Sequence, residues 1–391
     1  MFNTLPLFVK GFLAVGFLFA FGYALVDCVL LSGLKRVLRG HSAARPRVSV
    51  LLSARNEEEG IERCLSTLIA QSYPPKLYEI LIANDRSSDS TGAILDKWAA
   101  RHPGRIRILH IRECAEGLSP KKNALTQLME WATGEIICTT DADCLLPLRW
   151  IEAVVQEYEP GVEMVVGHSE FDSAFRGGWL QPVQSLEYLS HSIIAAGSIG
   201  VGRPLTCTGN NFSYRREFFY QLGGFHGVET ILSGDDDLLL RKAVRENRWA
   251  IRYCLNPDSF VLTRPQRNSR ALLSQRSRWA STTVTYETPV LQILTGIFLW
   301  YCWIILAIVA GGIALLAGAE WGGFLFAAGV LGFFWKSLWD YAVTRRGAYL
   351  FRRQKLLSAF LPTALLHIPM IVLPVIFGIL GDFSWKGQNS R

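Results

Sequence analysis

The sequence predicts an α/β domain with a wound, mostly parallel sheet, flanked by transmembrane α-helices. Two observations support this fold class. In the middle of the 391-residue chain, short β-branched apolar runs alternate with segments of helical periodicity, a pattern typical of parallel strands joined by crossover helices. Near both ends lie long uncharged apolar runs, and 50% of all residues are hydrophobic. A purely soluble chain would not concentrate its apolar residues in this way.

The middle region is predicted to begin with four strands that alternate with three helices. Short apolar runs predict strands at residues 47–53, 78–83, 106–111 and 135–140. Helical spacing of apolar residues predicts helices at residues 61–70, from Asp89 or Ser90 to Trp98, and at residues 121–133. Two further strands are expected at residues 164–168 and 250–254. This alternation predicts a parallel, wound sheet.

Four membrane-spanning helices are predicted at the two ends. Residues 11–26, 288–319 and 356–381 contain no Asp, Glu, Lys or Arg, and a spanning helix needs about 20 mostly apolar residues. Residues 321–335 form a shorter fourth candidate. Lys336 and Asp340 follow it at i, i+4 spacing, where the two side chains can pair.

Basic residues orient these helices. Five follow the first span, at Lys35, Arg36, Arg39, Arg45 and Arg47, and residues 344–355, expected to form a loop, contain five basic residues and no acid. The positive-inside rule places both on the cytoplasmic side. We therefore expect a multi-pass protein of the inner (plasma) membrane with a cytoplasmic middle domain. The first span has only Lys10 before it and is expected to be retained rather than cleaved.

The domain boundaries follow from these segments. We expect an N-terminal transmembrane helix in residues 1–38 and a cytoplasmic domain in residues 45–287, ending in a membrane-interface segment. About three C-terminal spans in residues 288–381 and a tail in residues 382–391 complete the chain.

Composition excludes several other classes of protein. The net charge of +7 lies largely beside the membrane, which favours anionic lipids as partners over nucleic acid. The eight cysteines are scattered without a C-x-x-C pair, so neither a zinc site nor a disulfide framework is predicted. No P-loop, dinucleotide fingerprint, zinc-protease motif or hydrolase serine elbow is present.

Acidic side chains stand where two predicted strands end. Asp85 follows the second strand, and Asp141 and Asp143 follow the fourth. Each could be an ordinary turn residue. Ligands of open α/β sheets, however, bind outside the carboxyl ends of the strands. Mg²⁺ is typically held by one or two carboxylates plus substrate phosphates, so the three acids together predict a ligand cleft that can hold a divalent cation.

Two further clusters lie later in the chain. Ser233-Gly-Asp-Asp-Asp237 precedes an apolar run; its acids either cap a helix or supply a general base. Gln275-Arg-Ser-Arg-Trp279 lies just before the long apolar span at residues 288–319. It is either an interfacial basic helix with a tryptophan in the aromatic belt, or a diphosphate-gripping segment.

This ordered set resembles the membrane-bound family 2 glycosyltransferases with a GT-A fold, the group that includes cellulose, chitin and hyaluronan synthases and ceramide glucosyltransferase. The resembling features are Asp85 with Ser88 and Asp89, the Asp141-Ala-Asp143 pair, the acidic triplet after Gly234, and Gln-x-x-Arg-Trp. The resemblance extends from about residue 45 to residue 279, with the flanking spans. It implies a GT-A-type sheet and an inverting sugar transferase.

The resemblance implies a role for each matching residue. On the donor side, Asp85 would contact the nucleotide base, Glu57 would lie beside the uridine, and Lys121 would lie near the nucleotide. Asp143 would coordinate Mg²⁺ or Mn²⁺ on the diphosphate, with Asp141 close by as a nucleotide-binding residue. Gln275, Arg278 and Trp279 would contact the diphosphate and the acceptor end.

The general base is less well defined by the resemblance. The family's base motif aligns on Asp235, but Gly234 replaces the family's glutamate. Asp236 therefore remains an alternative base. The segment Thr208-Gly-Asn-Asn-Phe-Ser-Tyr-Arg-Arg216 is similar to the family's acceptor-side loop.

We therefore predict a metal-dependent glycosyltransferase that moves a sugar from a nucleotide-sugar donor, a UDP-sugar in our interpretation, to a membrane lipid or lipid-linked acceptor. A processive or oligomeric polysaccharide synthase is the alternative. It is less favoured because the sequence contains no family-like gating loop after Trp279 and too few predicted spans for a channel. A nucleotidyltransferase and a non-catalytic scaffold with a degenerate GT-A domain are the alternatives from other classes.

Overall fold

The computed structural model describes residues 5–115, 117–175, 178, 180–281, 283–380, 384–385 and 388–389. The chain divides into two compact units. One is Gly33–Gln266, and the other comprises Met1–Ser32 and Arg267–Arg391. The sequence-based domain boundaries stay predictions, and most of the predicted tail at residues 382–391 lies outside the described residues.

The helices are α1 (Leu7–Leu34), α2 (Ile61–Ile69), α3 (Thr91–Arg101), α4 (Pro120–Trp131), α5 (Trp150–Val155), α6 (Leu180–Gly200), α7 (Arg216–Gln221), α8 (Asp235–Asn247), α9 (Ser269–Ser281), α10 (Thr288–Leu316), α11 (Glu320–Leu350) and α12 (Phe360–Leu380). The strands are β1 (Val48–Ala54), β2 (Tyr78–Asp85), β3 (Ile106–Ile111), β4 (Ile136–Asp141), β5 (Met164–Val166), β6 (Ser169–Phe171), β7 (Phe212–Arg215), β8 (Ile251–Tyr253) and β9 (Val261–Thr263). Two further two-residue strands, Ser384–Trp385 and Gln388–Asn389, pair with each other.

A seven-stranded sheet organises the unit Gly33–Gln266. Its strand order is β3-β2-β1-β4-β7-β5-β8. The pairs β3–β2, β2–β1, β1–β4 and β5–β8 are parallel, whereas β7 runs antiparallel to both β4 and β5. A smaller parallel sheet contains β6 and β9. The predicted mostly parallel α/β sheet is confirmed.

The core explains why β1, β2 and β4 are central. β2 is buried along its whole length, and β1 and β4 are buried at all but one residue each. This burial accounts for their continuous apolar runs. On one face, α2 packs its apolar side, with Ile61, Leu65 and Leu68 fully buried, into the same cluster as Val50 and Leu52. Each such side chain contributes about 1.5–3 kcal/mol when it leaves water.

The sequence did not predict β6, β7 and β9. β7 has four residues and follows directly on a single 3-10 turn at Gly209–Asn211. β6 and β9 have three residues each. Segments this short contain too few residues to show an alternating pattern, and their position in the sheets is set by tertiary pairing.

The second unit contains helices long and apolar enough to cross a membrane. Among the described residues there are four, at Leu7–Leu34, Thr288–Leu316, Glu320–Leu350 and Gln354–Ile376. The predicted number of four candidate spans is confirmed. The third is longer than expected, because α11 continues to Leu350 through residues that the sequence suggested were a loop.

Small and polar residues hold these helices together. At Gly311 and Gly322, where α10 and α11 pack against each other, an added β-carbon would lie 2.4 Å and 2.3 Å from backbone nitrogens of the facing helix, so only glycine permits that approach. Lys336, fully buried, pairs with Asp340 at 2.5 Å as the sequence predicted. Asp340 also accepts a hydrogen bond from Tyr23 on α1 at 2.5 Å.

Candidate active site

The site is built at the carboxyl edge of the central strands. Ser53 on β1 is in register with Asp141 on β4, and Ala54 is in register with Asn84 on β2. The strand order reverses between β1 and β4, which makes this edge a topological switch point, where α/β proteins bind ligands. Asp85 and Asp141, the last residues of their strands, therefore emerge at one edge, as predicted.

Two loops at this edge are tied together by hydrogen bonds. The amide of Asn56, in the loop after β1, donates to the Ser87 hydroxyl at 3.1 Å, and the Asn56 side-chain oxygen accepts from the Ser88 amide at 2.8 Å. Asn56 and Arg86 both adopt a left-handed backbone with φ of 53°, an uncommon conformation for residues other than glycine. The hydrogen bonds thus maintain backbone geometry that the sequence does not prefer by itself.

These loops position two of the four residues expected to contact a nucleotide. The amide of Glu57 donates to the Thr91 hydroxyl at 2.8 Å, which anchors Glu57 to the start of α3. Asp85 is buried, and both of its carboxylate oxygens accept hydrogen bonds from the Arg86 guanidinium, at 2.8 Å and 3.2 Å. Asp85 is therefore held in a fixed orientation by its neighbour.

Lys121 connects two acidic groups from distant parts of the chain. Its ammonium lies 2.9 Å from Asp141 Oδ1 and 3.2 Å from Asp235 Oδ2. Burial opposes the charge of this lysine, but the carboxylates of Asp141, Asp235 and Asp236 outweigh it and raise the pKa of Lys121 well above its usual range. The predicted donor-side residue Asp141 and the predicted base Asp235 thus contact the same lysine ammonium.

Asp143 lies in a different environment from Asp141. Burial, followed by the negative charges of Asp141 and Glu57, raises the pKa of Asp143 to about 6. The hydroxyl of Thr263, the last residue of β9, lies 3.4 Å from its Oδ2 oxygen. A carboxylate that is difficult to ionise because of burial and neighbouring charge is well suited to bind a cation.

The acidic triplet forms the first turn of α8. Gly234 precedes it with a left-handed backbone, φ 77° and ψ 40°. Asp237 accepts hydrogen bonds from the Thr206 hydroxyl at 3.1 Å and the Cys207 amide at 3.0 Å, so it holds the preceding segment in place. Burial and the charges of Asp235 and Asp237 raise the pKa of Asp236. Because Asp237 binds this segment, Asp235 and Asp236 stay the two candidates for the general base.

The segment similar to the acceptor-side loop packs beside this triplet. A β-carbon on Gly209 would lie 3.1 Å from Asp236 Oδ2 and 3.4 Å from Asp235 Oδ2, so the glycine leaves room for both carboxylates. The buried Asn211 side chain accepts from Trp150 Nε1 at 3.0 Å and donates to the carbonyls of His168 and Ser259, each at 2.7 Å. These bonds fix the backbone that carries Gly209.

Gln275, Arg278 and Trp279 lie on α9, within the second unit. In that unit α9 packs against α12, and the Arg276 guanidinium stacks over the Trp279 ring at 4.1 Å. The predicted roles of these residues toward a diphosphate and an acceptor stay predictions.

Sequence reasoning missed Thr263 and Arg264 at this site. Arg264 donates to the Glu59 carbonyl at 2.9 Å, and its guanidinium would lie 3.0 Å from a β-carbon on Gly60. Thr263 is the last residue of β9 and Arg264 comes directly after it, and the sequence does not reveal this three-residue strand. A charged residue directly after an apolar strand-like triplet was the one available signal.

The residues present fit a divalent cation that is shared with a substrate. Asp143 and Asp141 offer hard oxygen donors in a negative environment. In the described part of the chain no group of three or more His, Cys, Asp or Glu side chains is arranged to hold a metal by itself. Mg²⁺ sites commonly use one or two carboxylates and take the remaining ligands from substrate phosphates and water, which matches this arrangement.

Comparison with known proteins agrees with the geometry. Residues 49–223 match the family model "Glycosyl transferase family 2". The chain is 27% identical over 241 residues to a beta-monoglucosyldiacylglycerol synthase of Synechocystis sp., and 31% identical over 240 residues to that of Trichormus variabilis. Each alignment covers 60% of this chain and 47% or 48% of the relative. The chain thus spans about half the length of the curated relatives it matches.

Among solved structures, a mannosyltransferase from Pyrobaculum calidifontis, in complex with GDP-Man and Mn²⁺, superposes with a TM-score of 0.60. It is 22% identical, and the alignment covers 90% of this chain and 99% of that one. At this identity the likeness concerns the fold. The family match indicates a glycosyl transferase family 2 domain at residues 49–223, and the superposition agrees with a GT-A fold.

Proposed function

We propose that this protein is an inverting, membrane-embedded glycosyltransferase that moves a sugar from a nucleotide-sugar donor, a UDP-sugar, to a lipid or lipid-linked acceptor. The observation that carries the proposal is the contact of Lys121 with both Asp141 and Asp235. Because one ammonium group contacts both, the acids at the sheet edge and the acids at the start of α8 lie close together. A donor diphosphate and an acceptor hydroxyl can then meet between them.

The reaction exchanges one carbon–oxygen bond for another. The acceptor hydroxyl attacks the anomeric carbon of the donor, and the bond from that carbon to the diphosphate breaks. The hydroxyl proton passes to the carboxylate of Asp235 or Asp236, and the nucleoside diphosphate leaves on the opposite face of the sugar. Attack from the opposite face inverts the anomeric configuration.

Each acid has support as the general base. Alignment with the family motif favours Asp235. The raised pKa of Asp236 favours that neighbour, because a general base works best when its pKa lies near the working pH. Comparing Asp235→Asn with Asp236→Asn separates the two: the variant of the base loses sugar transfer while it still binds the donor.

On the donor side, Glu57 and Asp85 would bind the nucleoside and Lys121 the nucleotide phosphates. Asp143, assisted by Asp141, would hold Mg²⁺ or Mn²⁺ on the diphosphate, where the cation neutralises charge on the leaving group. Lys121 adds a second positive charge at the same edge. The resemblance assigns contacts with the diphosphate and the acceptor to Gln275, Arg278 and Trp279, and we keep these roles as part of the proposal.

The membrane setting supports a lipid acceptor. Four helices of the described chain are long and apolar enough to span a bilayer, and the relatives that match 60% of this chain include beta-monoglucosyldiacylglycerol synthases. Basic residues after α1 and within residues 344–355 support a cytoplasmic catalytic domain at the inner (plasma) membrane beside anionic lipids.

A polysaccharide synthase is the second candidate. A poly-beta-1,6-N-acetyl-D-glucosamine synthase of Staphylococcus epidermidis is 29% identical to this chain over 147 residues, which is 37% of this chain and 33% of the relative. The two candidates differ in product. Mass analysis of the lipid extract after reaction should give one or a few sugars on a lipid, whereas a ladder of long glycans would favour the synthase.

A further inference from the structure

Lys122, the residue after Lys121, makes contacts that have no role in the proposed reaction. Lys122 is 1% exposed. Its ammonium donates hydrogen bonds to the backbone carbonyls of Ile231 and Ser233, the latter at 3.0 Å. These carbonyls belong to the segment just before Gly234 and the acidic triplet. A buried ammonium is therefore used to bind the backbone that leads into the catalytic acids.

Ser119 binds the same segment from the start of α4. It is the N-cap residue of that helix, yet its side chain forms no capping hydrogen bond, although N-cap serines normally accept one from the first turn. Its hydroxyl instead donates to the Leu232 carbonyl at 3.2 Å, and its amide donates to the Glu229 carbonyl at 2.8 Å. Ser119 and Lys122 thus bind four carbonyls within residues 229–233.

The position of Lys121 gives this contact a consequence for the site. Lys121 and Lys122 are adjacent on the first turn of α4. Lys121 contacts Asp141 and Asp235, while Lys122 and Ser119 hold the segment that leads to Asp235. The first turn of α4 therefore holds the segment that leads to Asp235 and also supplies the Lys121 ammonium that contacts Asp235. Gly234, in its left-handed conformation, joins the held segment to α8.

We propose that Ser119 and Lys122 are positioning residues for the general base, holding residues 229–234 against α4 so that Asp235 and Asp236 stay beside Lys121. This inference rests on the proposed function, because it assigns the base to this acidic pair. Lys122 does not act on the substrate in this proposal. Its effect reaches the reaction only through the position of α8.

The test uses the full chain in detergent and two variants, Lys122→Met and Ser119→Ala. The matched control is Lys242→Met. Lys242 also donates to three backbone carbonyls, of Leu222, Gly224 and His226, at 3.1, 2.7 and 2.8 Å, but these lie in the preceding segment. Hydrogen exchange by mass spectrometry measures opening of residues 229–234. Sugar-transfer kinetics give kcat and the donor KM separately.

For Lys122→Met we expect exchange in residues 229–234 to rise by about tenfold or more and kcat to fall by about tenfold or more. The donor KM should stay within about twofold, since the donor-side residues are untouched. Ser119→Ala should shift exchange and kcat in the same direction by less. Lys242→Met removes an anchor of α8 itself but should leave exchange at residues 229–234 within about twofold of the wild type.

Three results would overturn the proposal: unchanged exchange in residues 229–234 of Lys122→Met, a donor KM that rises in step with the fall in kcat, or exchange in residues 229–234 that rises as much in Lys242→Met as in Lys122→Met. A wild-type protein that turns over no donor would contradict the proposed function instead. In that case the exchange measurement still decides whether Ser119 and Lys122 hold the segment.

Discussion

The pKa of Asp143 allows a quantitative prediction about cation binding. Burial, followed by the charges of Asp141 and Glu57, raises this pKa to about 6, whereas the pKa of an unperturbed aspartate is about 3.9. A carboxyl group must lose its proton before it can coordinate a metal. As the pH falls through the raised pKa, protons compete with the cation, and the apparent affinity for Mn²⁺ should fall.

The size of the effect follows from the two protonation states. With a pKa of about 6, the Asp143 carboxylate is about nine-tenths ionised at about pH 7 and about one-tenth ionised at about pH 5. The apparent Mn²⁺ affinity should therefore fall about tenfold between these values. With an ordinary pKa the carboxylate would stay almost fully ionised, and the affinity would be nearly constant.

The assay is electron paramagnetic resonance of free Mn²⁺, titrated with protein in the presence of a saturating nucleotide sugar and no acceptor. A nucleotide sugar is preferred to a nucleoside diphosphate because both of its phosphates are esterified and do not titrate in this range. Asp143→Asn should bind Mn²⁺ weakly at every pH. Glu57→Gln should move the midpoint of the pH dependence to lower pH, because it removes one of the charges that raise the pKa.

A wild-type affinity that changes by less than about twofold over the same range would refute this reasoning. So would an Asp143→Asn variant that keeps the wild-type affinity and pH dependence. The first result would mean that Asp143 is already ionised at low pH. The second would mean that another group binds the cation.

Three further predictions concern the acids, the membrane helices and the sheet. Gly209→Val should lower kcat by about tenfold or more with an unchanged donor KM, since its β-carbon would lie 3.1 Å from Asp236 Oδ2. Lys336→Met leaves the half-buried Asp340 carboxylate without its fully buried lysine partner and should destabilise the detergent-solubilised protein by about 3 kcal/mol; adding Asp340→Asn should restore part of the loss in a thermal unfolding scan. Burial opposes ionisation of Glu79, but hydrogen bonds from hydroxyl and amide donors outweigh burial and lower the pKa of Glu79. The ionised carboxylate therefore stabilises the fold above the ordinary carboxyl pKa, and this stabilisation is lost as the pH falls through the lowered pKa. Glu79→Gln should therefore reduce stability at neutral pH and flatten its fall in acid, measured by the same scan.

Much of the central sheet could be predicted because local pattern and burial agree there. β1, β2 and β4 are buried almost throughout, so each had to be a continuous apolar run with a sharp polar end. Those polar ends, Asp85 and Asp141, stand at one edge because parallel strands share their carboxyl ends. The strand pattern alone was therefore enough to place Asp85 and Asp141 at one edge of the sheet.

The rest of the site depends on contacts between distant segments. β7 and β9 are too short to show a periodic pattern, so no periodicity placed Gly209 and Arg264 at the site. Nothing in the acidic triplet distinguishes Asp237, which holds Thr206 and Cys207, from its two neighbours. The contacts of Lys122 with carbonyls about a hundred residues away are likewise fixed only by the packing of α4.

The central claim is sugar transfer at the edge formed by Asp141, Asp143 and the acids of α8. Its most direct test incubates the purified protein in detergent with Mn²⁺, a panel of nucleotide sugars and a native lipid extract, and analyses the nucleotide and lipid products by mass. We predict free nucleoside diphosphate and a glycosylated lipid from the wild type, and loss of both products for Asp143→Asn. Release of pyrophosphate would indicate a nucleotidyltransferase. No donor turnover, with wild type and Asp143→Asn alike, would contradict the enzymatic account.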